Sequence, residues 1–123
     1  MVIRRASDST TTTIGFDGSG NIDEAAITTF CTGTTCTVYQ WLDQSGNGNT
    51  ATAAAPANEP TIYTGGQLVK DGGRVALTST GNTSFDFTEI TDINSVFSVL
   101  RPTNFTGNSD SFILGDISNY NYH

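Results

Sequence analysis

The chain has 123 residues, 36% of them hydrophobic and 14% charged, with a formal net charge of −7. That length carries one domain with one modest core. The acidic balance argues against nucleic acid or membrane insertion, because a nucleic-acid or anionic-lipid partner needs a basic patch and no apolar run approaches transmembrane length.

Met1-Val2-Ile3-Arg4-Arg5 has no apolar core behind it, so no signal peptide is visible. The sequence reads as a mature fragment with an added Met, or as a protein released by lysis. Residues 2–5 read as a short edge strand, with Val2 and Arg4 on one face and Ile3 and Arg5 on the other. Residues 7–10 form a turn and residues 11–16 a second strand. Asp17-Gly18-Ser19-Gly20 is a turn by composition. Asn21, with Glu24 three residues on, resembles a capping box and predicts a helix over 22–30, whose Ile22, Ala26 and Phe30 share one face. The cations Arg4, Arg5, Lys70, Arg74 and Arg101 are expected in ion pairs or on solvated faces.

Residues 36–42 read as a strand rich in β-branched and aromatic residues. Val38, Gln40 and Leu42 share one face and Tyr39 and Trp41 the other, so large apolar groups on both sides predict cover on both sides. Trp41, in mid-strand, is expected in the core rather than on the surface as a sugar platform. The run stops at Asp43-Gln44-Ser45-Gly46-Asn47-Gly48-Asn49, a compact polar loop of residues that tolerate positive φ or bond their own backbone. Residues 50–57 are small and featureless and suit a surface crossing. Residues 60–63 form a short strand. Gly65-Gly66 and Asp71-Gly72-Gly73 bracket a hairpin region at 67–70. Residues 74–78 form a strand with Val75 and Leu77 on one face. Phe85 and Phe87 alternate with Asp86. Residues 94–100 read as a central strand ended by Pro102, and 111–115 as a last apolar strand before a tail at 120–123. About eight to ten short strands and one short helix suit an antiparallel sandwich.

Two blocks resemble a known family. Phe30-Cys31 with Thr34-Thr35-Cys36, then Asp43-Gln44-Ser45-Gly46-Asn47-Gly48-Asn49, is similar to the N-terminal part of the catalytic domain of fungal-type α-L-arabinofuranosidase B, with Leu42 where that family has Tyr. Arg4-Arg5-Ala6-Ser7-Asp8 followed by Thr10–Thr13 and Ile14 is the second. The same blocks recur in laminin-G-like and concanavalin A-like jelly rolls of bacterial and phage proteins. The resemblance covers roughly residues 2–56. It implies an all-β, antiparallel β-sandwich of concanavalin A-like jelly-roll type, shortened or completed by another chain, with one short helix. The family's cysteine pair adds to the disulfide reading of Cys31 and Cys36. A metal there would need two more ligands, and His123 is the only histidine, while a lack of neighbouring positive charge argues against a reactive pair.

A glycosidase needs two carboxyl groups flanking the scissile bond. No spacing among the acids singles out a pair, and the family's catalytic carboxylates lie downstream of the matched blocks, so no catalytic residue is assigned. Asp43 and Asp116 each end a predicted strand; turn capping is the plainer role of both. The loop has three readings: self-bonded structure first, then a sugar site of Trp41, Asp43, Gln44, Asn47 and Asn49, then a calcium loop without the spacing of an EF-hand. No other metal or cofactor is implied. The leading expectation is a non-catalytic module for surface recognition or assembly, binding a glycan or cell-surface polysaccharide in an extracellular, cell-surface or virion setting. The rivals are the N-terminal portion of an α-L-arabinofuranosidase-like glycoside hydrolase, and a structural subunit self-associating through sheet edges.

Overall fold

The computed structural model describes residues 1–79, 82–88, 90, 95, 97, 99 and 101. Met1–Ile90 form one compact unit and Thr91–His123 a second. In the second unit the described residues carry no helix or strand. The strands expected over 94–100 and 111–115 lie largely or wholly outside the described residues, as do Asp116 and the tail at 120–123.

The first unit is antiparallel throughout. β1 (Val2–Arg5) pairs with β2 (Thr11–Thr13) on one side and β3 (Cys36–Trp41) on the other. The far side of β3 is shared. β4 (Ala51–Thr52) pairs at its C-terminal end, at Gln40 and Trp41, and β5 (Thr61–Thr64) at its N-terminal end, at Cys36 and Thr37. β6 (Gln67–Leu68) returns alongside β5. β7 (Lys70–Asp71) and β8 (Arg74–Val75) make a separate two-stranded hairpin, and a bridge between Thr61 and Thr78 ties the following chain to β5. Both hairpins turn on two glycines, Gly65-Gly66 and Gly72-Gly73, and all four have positive φ, as the tightest two-residue hairpin loops demand. The class is therefore all-β, antiparallel and sandwich-like, with one short helix. Ile62 and Tyr63 point to opposite faces of β5, yet both are buried, so that strand is covered on both sides.

The core is Ile3, Ile14, Ile27, Val38, Ile62 and Tyr63 around Cys31 and Cys36. The alternation in β1 works as the sequence predicts. Ile3 faces the core opposite Val38, while Arg4 lies opposite Thr37 on the other face. The helix α1 (Glu24–Phe30) lies on the core face. Cys31 caps its C-terminus and is disulfide-bonded to Cys36, the first residue of β3, with Cα atoms 5.9 Å apart. The bond ties the end of the helix to the start of the central strand.

Four expectations need correction. The helix begins at Glu24, not Ile22, because its cap is Asp23: the Asp23 carboxylate accepts from the Ala26 backbone N–H at 2.9 Å. Asn21 belongs instead to the preceding turn, where its N–H donates to Asp17 Oδ1. Glu24 is free of any capping box and pairs with Lys70 Nζ at 2.7 Å. The helix residue at the centre of the core is Ile27, while Ile22, Ala26 and Phe30 are packed around it half-buried. Full burial of one such isoleucine contributes roughly 1.5–3 kcal/mol. The second strand stops at Thr13, because Ile14 turns into the core and Phe16 only bridges Ile22. The supposedly featureless 50–57 stretch contains β4, a buried Ala53 and the start of a 3-10 turn at Pro56–Asn58. Small side chains at 51–53 permit close packing against β3, while residues 54–57 are exposed, as a surface crossing requires.

Candidate functional site

The polar loop leaves the end of β3 directly. Asp43 organises it. Its Oδ1 accepts from the Ser45 hydroxyl at 2.6 Å and the Ser45 N–H at 2.7 Å, and its Oδ2 accepts from the Asn49 N–H at 2.9 Å. The Ser45 hydroxyl oxygen in turn accepts from the Asn47 N–H at 3.3 Å. The Asp43 N–H donates to Thr50 Oγ1, closing the loop at its base. Gly46 and Gly48 sit at φ +82° and +79°, where a side chain would be strained. These donors, the Ser45 hydroxyl first and then the Ser45 and Asn49 N–H groups, stabilise the charged carboxylate and hold Asp43 down at about 2. Both carboxylate oxygens thus take part in the loop's own bonding, and among the described residues no cluster of three or more His, Cys, Asp or Glu is placed to hold a metal.

The predicted sugar-site residues are divided by the fold. Asp43, Asn47 and Asn49 are joined within the loop, through the carboxylate and two backbone N–H groups. Trp41 and Gln44 instead line a cleft of about 280 Å³ with Met1, Phe16, Leu42 and Leu77. Trp41 is not a core residue: it is the last residue of β3 and 53% exposed. The strand runs past the packed centre of the sheet, so the face alternation that buries Val38 gives Trp41 only one covered side. Phe16, across the same cleft, is 63% exposed. Gln44 donates its amide N–H to the Leu42 carbonyl at 3.2 Å.

Five further acids among the described residues have structural duties. Asp17 accepts from the backbone N–H groups of Asn21 and Ser19, which lower its pKa, and Asp8 is lowered first by the Thr10 N–H. Asp23 caps the helix and Glu24 pairs with Lys70. Glu59 is the one buried polar or charged residue among those described. Its side chain is 0% exposed, and it accepts from Arg4 Nε at 2.8 Å and from the Thr37 hydroxyl. Arg4 also lies over the Tyr39 ring, 4.4 Å from its centroid. This Arg4–Tyr39–Thr37–Glu59 cluster covers the sheet face opposite the helix. Sequence reasoning offered a solvated face or an internal ion pair for Arg4 and named neither its partner nor the ring beneath it. The period-2 alternation of β1 was the only local signal. Arg5, on the core face, lies 3.6 Å from Asp8 and over the Phe30 ring.

No helix among the described residues is long and apolar enough to cross a membrane. The family model for the catalytic domain of alpha-L-arabinofuranosidase B matches residues 1–93. Over 55 residues the chain is 51% identical to alpha-L-arabinofuranosidase B of Aspergillus kawachii and 49% identical to that of Aspergillus niger, each match covering 44% of this chain and 11% of the relative. Over 63 residues it is 49% identical to alpha-L-arabinofuranosidase B of Emericella nidulans, covering 49% of this chain and 12% of the relative. The matched stretch is thus only about a tenth of the length of these curated relatives. No solved structure shows a significant match. With 93 of its 123 residues under the family model, the two motif blocks in place and the antiparallel, disulfide-tied sheet they build, the chain belongs to the family of alpha-L-arabinofuranosidase B catalytic domains.

Proposed function

We propose that this chain is part of the β-scaffold of a glycoside hydrolase that acts on α-L-arabinofuranosides. The observation that carries the reading is the family match over residues 1–93. It weighs against the expectation of a non-catalytic module, which rested on the resemblance, the acidic polar surface and the family's catalytic carboxylates lying downstream of the matched blocks. A glycosidase requires two carboxyl groups roughly 5–5.5 Å apart for retention, or about 6.5–9.5 Å for inversion. Asp8, Asp17, Asp23, Glu24, Asp43 and Glu59 are each committed to a turn, a cap or an ion pair. This reading places the chemistry on carboxylates other than these six. The disulfide fits an oxidising, extracellular setting.

The test is arabinose release from a chromogenic α-L-arabinofuranoside by purified polypeptide carrying this domain. Release that survives Asp43→Asn supports the scaffold assignment. Failure of a folded polypeptide with the whole family domain to release arabinose refutes the hydrolase reading.

One observation favours the second reading, a non-catalytic glycan-recognition module. An aromatic ring as large as Trp41, left half exposed beside a polar loop, is a surface on which a sugar face can stack. The finer settings of that reading, a virion or cell surface and self-association through sheet edges, stay with it. Among the described residues β2 pairs on one side only, which leaves an edge for a further strand.

A further inference from the structure

Trp41 is the single tryptophan of the chain, and it borders the cleft shared with Phe16, Leu42, Gln44 and Leu77. Three properties of this cleft point to one kind of occupant. First, none of its lining side chains is ionisable, in a chain of net charge −7, and the one charged group on its lining, the Met1 ammonium, donates to the Ile14 carbonyl at 3.0 Å. Of the acids adjoining lining residues in sequence, Asp43 turns both carboxylate oxygens onto its own loop, Asp17 accepts from the Ser19 and Asn21 N–H groups, and Asp23 caps the helix. A neutral ligand enters such a site without desolvating a side-chain charge, whereas an anionic one would meet the acidic field of the rest of the molecule. Second, its volume of about 280 Å³ lies at the low end of ligand clefts, which run from roughly 300 to 1,000 Å³. It holds one ring rather than an extended chain. Third, its apolar floor meets a polar mouth. Trp41 and Phe16 offer flat π surfaces to C–H groups, and Gln44 brings an amide, held by its bond to the Leu42 carbonyl, to where hydroxyl groups would lie.

We propose that this cleft is a subsite for one ring of a neutral polysaccharide, with Trp41 as the stacking platform and Gln44 as the hydroxyl partner. The proposal rests on the carbohydrate-acting reading above and gives it a location on this chain.

Because Trp41 is the only tryptophan, its emission reports on the cleft alone. The 123-residue protein is titrated with neutral arabino-oligosaccharides and, separately, with polygalacturonate. The expected result is a saturable change in emission and protection from acrylamide quenching with the neutral sugars only. Gln44→Ala and Phe16→Ala both alter exposed side chains, so the fold should persist, as checked by far-UV circular dichroism. Each should weaken binding roughly tenfold, a loss of about 1.4 kcal/mol. Trp41→Phe, followed by calorimetry, should weaken it further. Emission that stays flat into the millimolar range overturns the subsite. So does emission that follows protein concentration instead of sugar, which would make the cleft a contact between polypeptides. An equal response to polygalacturonate overturns the neutral-ligand argument. Arabinofuranoside hydrolysis that persists beside a flat titration would sink the subsite and leave the hydrolase reading standing; binding by a folded polypeptide with the whole family domain that releases no arabinose would do the reverse.

Discussion

The ion pair between Arg4 and Glu59 should respond asymmetrically to removal of its two ends. Glu59 has no exposed side-chain surface, whereas Arg4 keeps 21% of its own. Arg4→Met leaves a carboxylate sealed from water with only the Thr37 hydroxyl for a partner. Breaking a buried pair in this way costs about 3–5 kcal/mol, and full enclosure puts this case near the top of that range. The lost stacking on Tyr39 adds roughly 0.5–1 kcal/mol. Glu59→Gln keeps the shape and an acceptor for Arg4 Nε, and the guanidinium retains both its water and the ring. Losing one charge-assisted hydrogen bond there costs about 1.5–3 kcal/mol. The arginine variant should therefore be the weaker by about 2.5–4.5 kcal/mol, a large share of a total stability of about 5–15 kcal/mol. Urea unfolding at pH 7, followed by far-UV circular dichroism, measures both with an unchanged slope. Tyr39→Leu calibrates the stacking contribution. Losses under about 1 kcal/mol for both variants, or a greater loss for Glu59→Gln, would show that water reaches the pair and would refute the reasoning.

Two further predictions concern local devices. Asp43 is held at about 2, below its ordinary value of 3.8, so its loop bonds add stability that is complete above about pH 4 and is lost as the pH falls toward 2. The melting temperature of Asp43→Asn should lie below that of the parent at pH 6, and the gap should close between pH 4 and pH 2; a gap independent of pH would contradict the assignment. Asp23→Ala should cost about 1 kcal/mol by uncapping α1, while Asn21→Ala should change stability by no more than a few tenths, and equal effects in urea unfolding would return the cap to Asn21.

How much was legible in the sequence follows from the range over which each rule acts. Gly65-Gly66 and Gly72-Gly73 announce hairpins because the required positive φ is a property of two adjacent residues. The 43–49 loop was legible for the same reason, since Asp43 finds its donors within six residues. Cys31 and Cys36 are five apart in sequence, and the family blocks around them carried the resemblance. The cap was misplaced by two residues because Asn21 and Asp23 are both competent; the competing turn at Asp17 decided between them.

By itself, then, the sequence determined the all-β class, the tight hairpins, the disulfide and the self-bonded loop, all of which arise from neighbours along the chain. Only the tertiary structure decided which residues left the core and which entered it. Arg4 and Glu59 are 55 residues apart, and they meet because β3 carries β1 on one side and the approach to β5 on the other. Trp41 alternates in step with a buried strand, yet the sheet ends beneath it, and burial depends on what lies opposite a side chain rather than on its place in the pattern.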